Sequence, residues 1–481
     1  MKIRSEMGLT FDDVLLVPRF SSIRSRKAVS TASWLVPDIR LNIPVISANM
    51  DTVTETQMAI VMAQQGGIGI LHRFMSIERQ ADCVRKVKRA ESLVVSNPIT
   101  LYGTATVQEA RQKMLDEEVG GLMVVDGQNH LLGLVTSRDV LLAQDGDAPV
   151  QSVMTPFDRL VVAGPGETLE QARQKLHDHR VEKLPLVDAE QRVMGLITVQ
   201  DIIKIQEHPS ATKDARGRLR VGVALGVRAD DLERAAACVE AGADVLLVDI
   251  AHGHSEHTMN MVRRLKTHFP RLPVIAGNVA TPQGVRDLAE AGADAVKVGV
   301  GSGSICITRV VTGFGVPQLT AIAECSEMGR KMNVPIIADG GVRTSGDLTK
   351  ALAAGASTVM LGSMLAGTDE SPGTAIVRDG RRYKIVRGMA SLTANVERRR
   401  MEKGETLSDE DFTEVVPEGV EGFVPYRGAV ADILHQMVGG LRSGLSYAGS
   451  TTIEELWENA EFIRMSPAGQ RESNAHDVNL L

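Results

Sequence analysis

One cysteine of this chain lies in a glycine-rich segment of the kind that brings a reactive side chain to a ligand. The segment V-G-V-G-S-G-S-I-C-I-T-R runs from Val298 to Arg309 and places Cys306 shortly after a short apolar run. Glycines permit tight turns and close approach of the backbone to a ligand, and loops commonly carry functional residues. A thiol in this position predicts nucleophilic chemistry, although a lone cysteine is more often a buried core residue.

The elements that must position this loop are short apolar runs, each ending in Gly, Asn, Asp or Ser. The eight runs are Ile43–Ser47, Gly67–Leu71, Val221–Ala224, Val245–Asp249, Val274–Asn278, Ala295–Gly299, Val334–Asp339 and Thr358–Gly362. From the third onward, each is followed by a helix-like segment such as Asp230–Ala241. This alternation implies parallel pairing, and eight runs predict an α/β fold, a (β/α)8 TIM barrel. An open doubly wound sheet is the alternative.

Composition limits the classes of function that the chain can have. Its net charge of -7 provides no general basic footprint for nucleic acid. We interpret the basic run R-K-V-K-R at 85–89 as a solvated helix face. No apolar run is long enough to span a membrane, and no signal peptide is evident. The four cysteines have no metal-binding spacing, so we expect a cytoplasmic protein.

The long segment between the second and third runs contains an internal repeat. T-V-Q-E-A-R-Q-K at 106–113 recurs as T-L-E-Q-A-R-Q-K at 168–175, and G-L-V-T-S-R-D at 133–139 recurs as G-L-I-T-V-Q-D at 195–201. Both blocks are offset by 62 residues, which indicates a duplicated unit. The unit resembles a tandem CBS (Bateman) module, in which a Thr-x-x-Asp element binds nucleotide ribose. A purely structural spacer is the alternative.

The resemblance to the CBS module implies a site for regulatory purine nucleotides, ATP or GTP. The candidate residues are Thr136, Asp139, Thr198 and Asp201. The predicted organisation is a first barrel part over 1–92, a regulatory module over 93–207 with repeats at about 93–154 and 155–207, and a second barrel part over 208–481. The last part includes a flap at 390–416, although its charged stretch Ala394–Thr413 could instead be a disordered surface loop.

Glycine-rich turns follow the sixth, seventh and eighth runs of the predicted barrel. They are Gly301–Ser304, Asp339–Gly341 and Leu361–Ser363. Loops after the last strands of such barrels commonly bind phosphate, because backbone N–H groups can donate to it where glycine allows close approach. One such turn is weak evidence, but several at the expected strand ends predict a phosphate site beside Cys306.

The chain resembles the IMP dehydrogenase and GMP reductase family along nearly its whole length. The matching segments are Leu9–Pro18, Asn49–Glu55, Gly277–Thr281, Gly303–Cys306, Ile337–Gly341, Arg387–Met389 and Gly439–Ser443. The resemblance implies a TIM barrel, often with a CBS pair inserted after the second helix, and the insertion point of this chain agrees. It also implies hydride transfer at C2 of a purine nucleotide, either GMP or IMP, with NADPH or NAD as cofactor.

The resemblance assigns roles to individual residues. Cys306 is the implied nucleophile, and Thr308 and Glu370 match the residues that assist ammonia release in a reductase. The implied nucleotide-binding residues are Asn49, Ser304, Asp339, Gly341, Gly362, Ser363, Met389 and Glu418. Asp249 and Asn278 lie where the family holds nicotinamide, although Asp249 could otherwise cap a helix. The backbone carbonyls of Gly301, Gly303 and Cys306 match the family's site for a monovalent cation such as K⁺.

Several departures from the dehydrogenase pattern favour a reductase. The dehydrogenase flap carries an Arg-Tyr pair that activates water, whereas the nearest match here, Ser408–Phe412, reads S-D-E-D-F. Ile250 follows Asp249 where dehydrogenases have Ser or Thr, and Gly253–His257 and Gln318–Cys325 resemble reductase segments. The C-terminal part, however, resembles bacterial dehydrogenases. The chain departs from the family at three further positions. Arg73 stands where reductases have Lys, Ser302 replaces a loop Pro, and Val386 replaces a phosphate-binding Tyr.

The sequence therefore predicts an NADPH-dependent GMP reductase. An NAD-dependent IMP dehydrogenase is the alternative, and a catalytically silent nucleotide-sensing regulator is a third reading from another class. The family relationship also implies a homotetramer, or an octamer when the CBS pair is present.

Overall fold

The computed structural model describes residues 3–91, 94–95, 98–403 and 416–475, and for residue 204 and residues 398–403 the backbone alone. The chain forms two compact units. The larger comprises Met1–Ala90, Ser210–Asp214 and Leu219–Leu481, and the smaller comprises Glu91–Pro209 and Ala215–Arg218. The smaller unit is therefore inserted into the sequence of the larger one.

The larger unit is built around a closed barrel of eight parallel strands, which confirms the predicted fold. The strands are β1 (Val45–Ser47), β2 (Ile68–Leu71), β3 (Val221–Leu225), β4 (Val245–Asp249), β5 (Val274–Val279), β6 (Ala295–Val298), β7 (Ile336–Asp339) and β8 (Thr358–Leu361). Each strand pairs with the next one, and β8 closes the barrel on β1. Each of the eight apolar runs found in the sequence corresponds to one barrel strand.

Helices follow the strands and cover the outside of the barrel. They are α1 (Thr56–Gln64), α2 (Ile77–Ala90), α3 (Asp231–Glu240), α4 (Glu256–His268), α5 (Pro282–Glu290), α6 (Gln318–Met332), α7 (Ser345–Ala353) and α8 (Val430–Tyr447). Shorter helices span Thr308–Thr312, Ser363–Ala366, Ile453–Asn459 and Pro467–Glu472. Among helices within the described ranges, none combines the length and apolar character needed to cross a bilayer.

The barrel strands are apolar along their whole length because both of their faces are buried. Inward-facing side chains such as Ile46, Leu247 and Ile337 form one buried cluster inside the barrel. A hairpin of Ser33–Val36 and Ile39–Leu41 contributes apolar side chains to the same cluster. Since this hairpin leads directly into β1, it closes the amino-terminal end of the barrel and leaves the opposite end for the site.

Two small sheets complete the larger unit. Val14–Leu16 pairs with Phe462–Arg464, which joins the two terminal regions of the chain. After β8, the strands Ala375–Arg378, Arg381–Arg387 and Glu421–Pro425 form an antiparallel sheet. The charged stretch predicted as a loop or flap begins as a helix, Leu392–Lys403, and residues 404–415 lie outside the described residues.

The inserted unit repeats its elements at the spacing seen in the sequence. Helices Val107–Asp116 and Leu169–Asp178 begin 62 residues apart, and each is followed by an antiparallel strand pair and a second helix. The strand pairs are Gly121–Val125 with Leu131–Thr136 and Lys183–Val187 with Val193–Thr198, and the second helices are Ser137–Leu142 and Val199–Glu207. The halves meet where His130 pairs with Arg192, two positions that are also 62 apart. The unit is therefore built from two copies of one motif.

The basic run at 85–89 is not entirely solvated, and our prediction for it was wrong at one residue. Arg85 and Lys86 are exposed, but the side chain of Lys88 is 4% exposed. Its Nζ atom lies 3.1 Å from Asp214 and 2.6 Å from Asp244. A buried ammonium group needs such partners to offset its desolvation. Lys88 therefore links the end of α2 to the segment on which the chain returns to the barrel.

Candidate active site

The carboxyl ends of the barrel strands surround a cleft with a volume of about 360 Å³. Residues from the ends of β1, β4, β5, β6 and β7 line it, as do residues from the loop after β6 and from two segments after β8. Active sites of this fold lie at the carboxyl end of the barrel because the loops that vary between enzymes converge there. The cleft brings together ten of the predicted residues, which are Asn49, Asp249, Asn278, Gly301, Gly303, Cys306, Thr308, Asp339, Met389 and Glu418.

The loop after β6 turns sharply to present Cys306. Gly299 has a φ of 153°, and a Cβ atom there would lie 2.0 Å from the carbonyl oxygen of Asp339. Only glycine fits such a close approach. Ser302, which replaces the family's proline, donates a hydrogen bond of 2.9 Å to the same Asp339 oxygen. The loop is thereby fixed to the end of β7.

A second segment, residues 418–420, forms hydrogen bonds with the loop that carries Cys306. The amide of Ile307 donates to the carbonyl of Glu418 at 2.8 Å, and the amide of Val420 donates to the carbonyl of Ile305 at 2.9 Å. The amide of Glu418 in turn donates to the carbonyl of Ala390 at 3.0 Å. These bonds bring Glu418 and the neighbouring Met389 to the wall of the cleft, where the sequence predicted contacts with a base.

Cys306 differs from the other three cysteines in its surroundings. Its side chain is partly exposed in the cleft, and its Sγ atom lies 3.2 Å from Oγ1 of Thr308. Cys83, Cys238 and Cys325 are buried in the core. Burial raises the pKa of Cys238 and of Cys325 to about 12, so neither thiol ionises readily. Since nucleophilic attack requires an accessible thiolate, Cys306 is the cysteine suited to it.

The floor of the cleft is a buried network of charged and amide side chains. Nδ2 of Asn49 donates to Oδ2 of Asp249 at 2.7 Å. Nδ2 of Asn278 donates to Oδ2 of Asp339 at 2.9 Å and to the carbonyl of Gly299 at 2.7 Å. Asp249 therefore does not act as a helix cap, which was the alternative considered from the sequence. The network joins residues that are far apart in the sequence but close at the ends of their strands.

Lys297 lies at the centre of this network, and the sequence analysis did not identify it. Its Nζ atom is 2.5 Å from Oδ2 of Asp339 and 3.3 Å from Oδ1 of Asp249. Burial alone would lower the pKa of Lys297, but the two carboxylates outweigh it and hold this pKa above its ordinary value. The group is therefore a buried cation between two anions. A lysine within the apolar run A-V-K-V was the signal that could have identified it.

Asn278 carries an unpaired polar atom at the cleft. Within the part of the chain that the structure describes, its Oδ1 atom is buried and has no hydrogen-bond partner. Buried polar atoms are nearly always paired in folded proteins. An amide oxygen left in this state beside a cleft can accept a hydrogen bond from a ligand.

The predicted phosphate-binding residues lie near the cleft but are not among the described residues that line it. They are Ser304, Gly341, Gly362 and Ser363. Ser304 is exposed, and Gly340 and Gly341 have φ values of 92° and 83°, in the left-handed region that favours glycine. A Cβ atom on Gly362 would lie 3.3 Å from the Met50 sulfur, and Met50 lines the cleft. The turns therefore flank the cleft.

Glu370 also lies away from the described lining of the cleft. Its Oε2 atom accepts a hydrogen bond of 2.9 Å from the amide of Val430, at the start of α8. The structure gives this carboxylate a capping role. Of the two residues predicted to assist ammonia release, Thr308 lies beside the sulfur of Cys306 and Glu370 does not.

Arg387 lies next to the cleft-lining segment of Gly388 and Met389, and its role was not predicted from the sequence. Its guanidinium forms ion pairs with Asp51, which follows β1, and with Glu397 at 2.5 Å, in the helix Leu392–Lys403. The Glu397 and Asp51 carboxylates hold the pKa of Arg387 above its usual range. Arg387 therefore connects the Met389 segment to the loop after β1 and to this helix.

The four candidates in the inserted unit form two equivalent local structures. Oγ1 of Thr136 donates to Asp139 at 2.7 Å, and Oγ1 of Thr198 donates to Asp201 at 2.6 Å. The same aspartates accept from the threonine amides at 2.8 and 3.0 Å. Both pairs therefore sit at the amino termini of the helices that follow. Such pairs stabilise helix starts without any ligand, so their nucleotide-binding role stays a prediction.

The fold and the cleft define a class of protein before any comparison is made. The class is a TIM-barrel protein with an accessible cysteine on the loop after β6 and carboxylates at the ends of β4 and β7 in the same cleft. Comparisons with known proteins identify the family within this class. The family described as "IMP dehydrogenase / GMP reductase domain" matches residues 8–476.

Relatives over the full length carry both names. The chain is 54% identical to the inosine-5'-monophosphate dehydrogenase of Nitrosopumilus maritimus, covering 98% of this chain and 99% of that protein. It is 51% identical to the GMP reductase of Leishmania donovani, covering 98% of each. A solved structure of a cysteine-to-alanine variant of the Trypanosoma brucei GMP reductase, in complex with guanosine 5'-monophosphate, matches with a TM-score of 0.92 and 47% identity over 98% of each chain.

The chain belongs to the IMP dehydrogenase / GMP reductase family and is an oxidoreductase of that family. This confirms the relationship that the sequence motifs indicated.

Proposed function

We propose that the protein is an NADPH-dependent GMP reductase, which converts GMP to IMP and ammonia with Cys306 as the nucleophile. The observation that carries this choice is the segment Ser408–Phe412, which lacks the Arg-Tyr pair of the dehydrogenases. A dehydrogenase must hydrolyse its covalent intermediate and needs a group to activate water, whereas a reductase does not. Ile250 and the segment Gly253–His257 support the same choice.

The proposed reaction uses the thiolate of Cys306 twice. The sulfur attacks C2 of the guanine ring, and the C2–N bond breaks with release of ammonia, which takes up the proton that the exchange requires. NADPH, when bound, would supply the hydride that replaces the amino group at C2. The C–S bond breaks with its electron pair returning to sulfur, so that IMP, NADP⁺ and the free thiolate are formed. One GMP, one NADPH and one proton thus give one IMP, one NADP⁺ and one ammonia.

Thr308 supports the first half of this reaction through its position. Its hydroxyl lies 3.2 Å from the sulfur of Cys306, close enough to exchange a proton with a group leaving from the same carbon. Glu370 would act with it only after giving up its bond to the Val430 amide. Arg73, which lines the cleft where reductases have lysine, is a poor proton donor because it stays protonated. We therefore assign the proton transfer to Thr308 first.

The remaining proposed roles follow the geometry of the cleft. Asp339 would accept hydrogen bonds from the ribose hydroxyls of the nucleotide, with Asn49, Met389 and Glu418 completing its surroundings, and the glycine turns beside the cleft would hold the phosphate. Asp249 and Asn278 would hold nicotinamide. The unpaired Oδ1 of Asn278 fits the carboxamide of that cofactor. A monovalent cation at the carbonyls of Gly301, Gly303 and Cys306 is part of the same proposal.

The inserted unit is proposed to be the tandem CBS module and to bind ATP or GTP as a regulator. The two-fold repetition of its elements supports this reading, and Thr136, Asp139, Thr198 and Asp201 are the proposed ribose contacts. A homotetramer or octamer and a cytoplasmic location complete the proposal.

The second candidate is an NAD-dependent IMP dehydrogenase, which would form XMP from IMP. The observation that favours it is the 54% identity to a protein of that name, together with the C-terminal resemblance. Such an enzyme would need another base for water in place of the Arg-Tyr pair. A silent nucleotide sensor is the third candidate, but the accessible Cys306 in a formed cleft argues against it.

Absorbance at 340 nm separates the three candidates. One assay contains the protein with GMP and NADPH, and a second contains it with IMP, NAD and K⁺. Falling absorbance with ammonia release in the first supports the reductase, and rising absorbance in the second supports the dehydrogenase. Binding of either nucleotide without turnover in both assays would support the silent sensor and overturn the proposed function.

A further inference from the structure

Among the residues that the structure describes, Lys297 is the one charged group that contacts both carboxylates of the cleft floor. It lies in β6, and its side chain is 3% exposed, whereas those of Asp249 and Asp339 are 21% and 22% exposed. The lysine thus lines the cleft but is almost wholly buried, and the two aspartates expose more of their side chains to a ligand. A buried cation placed between two partly exposed anions can respond to a change at either one.

The two aspartates differ in the hydrogen-bond partners of their carboxylate oxygens. Oδ2 of Asp339 accepts from both Lys297 and Asn278, and among the described residues its Oδ1 atom has no partner. Asp249 uses Oδ2 for Asn49 and faces Lys297 with Oδ1 at 3.3 Å, a longer and weaker contact than the 2.5 Å to Asp339. The lysine is therefore held closer to Asp339 while the cleft holds no ligand.

We propose that Lys297 is a positioning residue that couples the nucleotide subsite at Asp339 to the cofactor subsite at Asp249. The inference deepens the proposed function and rests on its assignment of these two subsites. Ribose hydroxyls that donate to Asp339 neutralise part of its charge. The attraction between Asp339 and the ammonium group of Lys297 then weakens. The ammonium group moves toward Asp249 and fixes the position of its carboxylate, which then binds the cofactor.

Coupling of this kind is reciprocal and measurable by binding alone. If a nucleotide tightens cofactor binding, then the cofactor tightens nucleotide binding by the same factor. GMP and NADP⁺ are the probes, because GMP must be reduced and NADP⁺ cannot supply a hydride. Titration calorimetry of the full-length protein gives the dissociation constant of NADP⁺ with and without saturating GMP.

We expect GMP to tighten NADP⁺ binding to the wild-type protein by about fivefold or more, within the usual range of coupling between sites. In Lys297→Met we expect this factor to fall close to one, because no group then connects the two carboxylates. The variant Lys297→Gln retains a donor for one aspartate but no charge. It should also lose the coupling, and it provides the test if the methionine variant does not fold.

Lys88→Met is the matched control. Lys88 is also a buried lysine of the larger unit with two aspartate partners, Asp214 and Asp244, but it lies at the return of the inserted segment. Its substitution should lower the melting temperature as Lys297→Met does while leaving the GMP–NADP⁺ coupling at the wild-type value. A purely structural role for Lys297 would make the two variants behave alike.

The outcomes separate this inference from the proposed function. Wild-type protein without coupling, or a folded Lys297 variant with wild-type coupling, overturns the role of Lys297. If instead the assays show IMP oxidation, the proposed reductase is wrong but the coupling is still measured, with IMP and NADH as the unreactive pair.

Discussion

The barrel and the inserted unit both pair polar side chains with aspartates, but they assemble these pairs in opposite ways. In the insert, Thr136 and Asp139 are three residues apart and satisfy each other at a helix start. In the barrel, Asp249, Lys297 and Asp339 come from three different strands and meet only because the barrel closes. A local pair can form without a ligand, whereas the gathered network exists only in the folded barrel and faces a cleft.

The geometry therefore indicates a chemical function for the barrel network but not for the pairs of the insert. The barrel network costs desolvation of several charges and leaves the amide oxygen of Asn278 without a hydrogen-bond partner among the described residues. The threonine–aspartate pairs of the insert have a structural explanation that is complete in itself. Variants of the barrel network should therefore change ligand binding and turnover more than variants of the local pairs do.

The largest effect is expected for Cys306→Ala. Loss of the nucleophile should reduce turnover by about a thousandfold or more, while GMP binding persists because the rest of the cleft is unchanged. Steady-state assays at 340 nm and calorimetry with GMP measure the two quantities. Cys325→Ala, which removes a buried thiol instead, should retain activity. Substantial turnover by Cys306→Ala would contradict the assignment of the nucleophile.

A smaller effect is expected for Asp339→Asn, which removes one anion of the barrel network. Charge-assisted hydrogen bonds to ribose would be lost, and GMP affinity should fall by about ten- to a hundredfold. Calorimetric titration with GMP measures this. The comparison variant Asp244→Asn lies outside the cleft beside Lys88 and should leave GMP affinity unchanged. Equal losses in both variants would show that charge balance of the unit, and not the cleft, sets affinity.

Removal of the inserted segment tests whether the two units divide catalysis and regulation. Joining residue 91 to residue 210 through a short glycine–serine linker should preserve turnover, because the barrel unit is compact without the insert. Any response of the rate to ATP or GTP, expected at about fivefold in the full chain, should disappear. Rates measured across an effector titration report both. Persistence of the response would place the regulatory site in the barrel.

The smallest effects are expected at the caps of the insert. Thr136→Ala or Thr198→Ala should lower the free energy of unfolding of the insert by about 1 kcal/mol each, as measured by chemical denaturation. Thr→Ser at the same positions keeps the hydroxyl and should behave as wild type. If the alanine variants also weaken ATP or GTP binding more than the loss of stability explains, the threonines contact the ligand. The pairs of the insert would then form a binding site, as the barrel network is proposed to do.

Most of the barrel could be predicted from the sequence because burial of both strand faces produces continuous apolar runs. All eight runs coincide with barrel strands to within a few residues. The repeat spacing likewise predicted the two-fold construction of the insert. The start of the flap was harder, because its charged residues are compatible with a helix as well as with a loop, and Leu392–Lys403 is a helix.

The candidate site was only partly predictable. Residues at strand ends, such as Asp249 and Asp339, could be located because strand ends meet at one rim of the barrel. Lys297 was not identified because it lies inside a strand, and its importance depends on which neighbours closure brings to it. Glu370 shows the opposite case, since its motif matched but its carboxylate bonds to the Val430 amide. Side-chain direction, which motifs do not encode, decides both cases.

The contacts of Lys88 have a consequence for the history of such proteins. Its ammonium group joins the last turn of α2 to Asp214 on the returning chain, so the two ends of the insertion leave and rejoin the barrel at one place. A recombination event that exchanged the DNA between these points would leave the junction residues unaltered. A gene for such a barrel can thus acquire, replace or lose the inserted segment in a single genetic step.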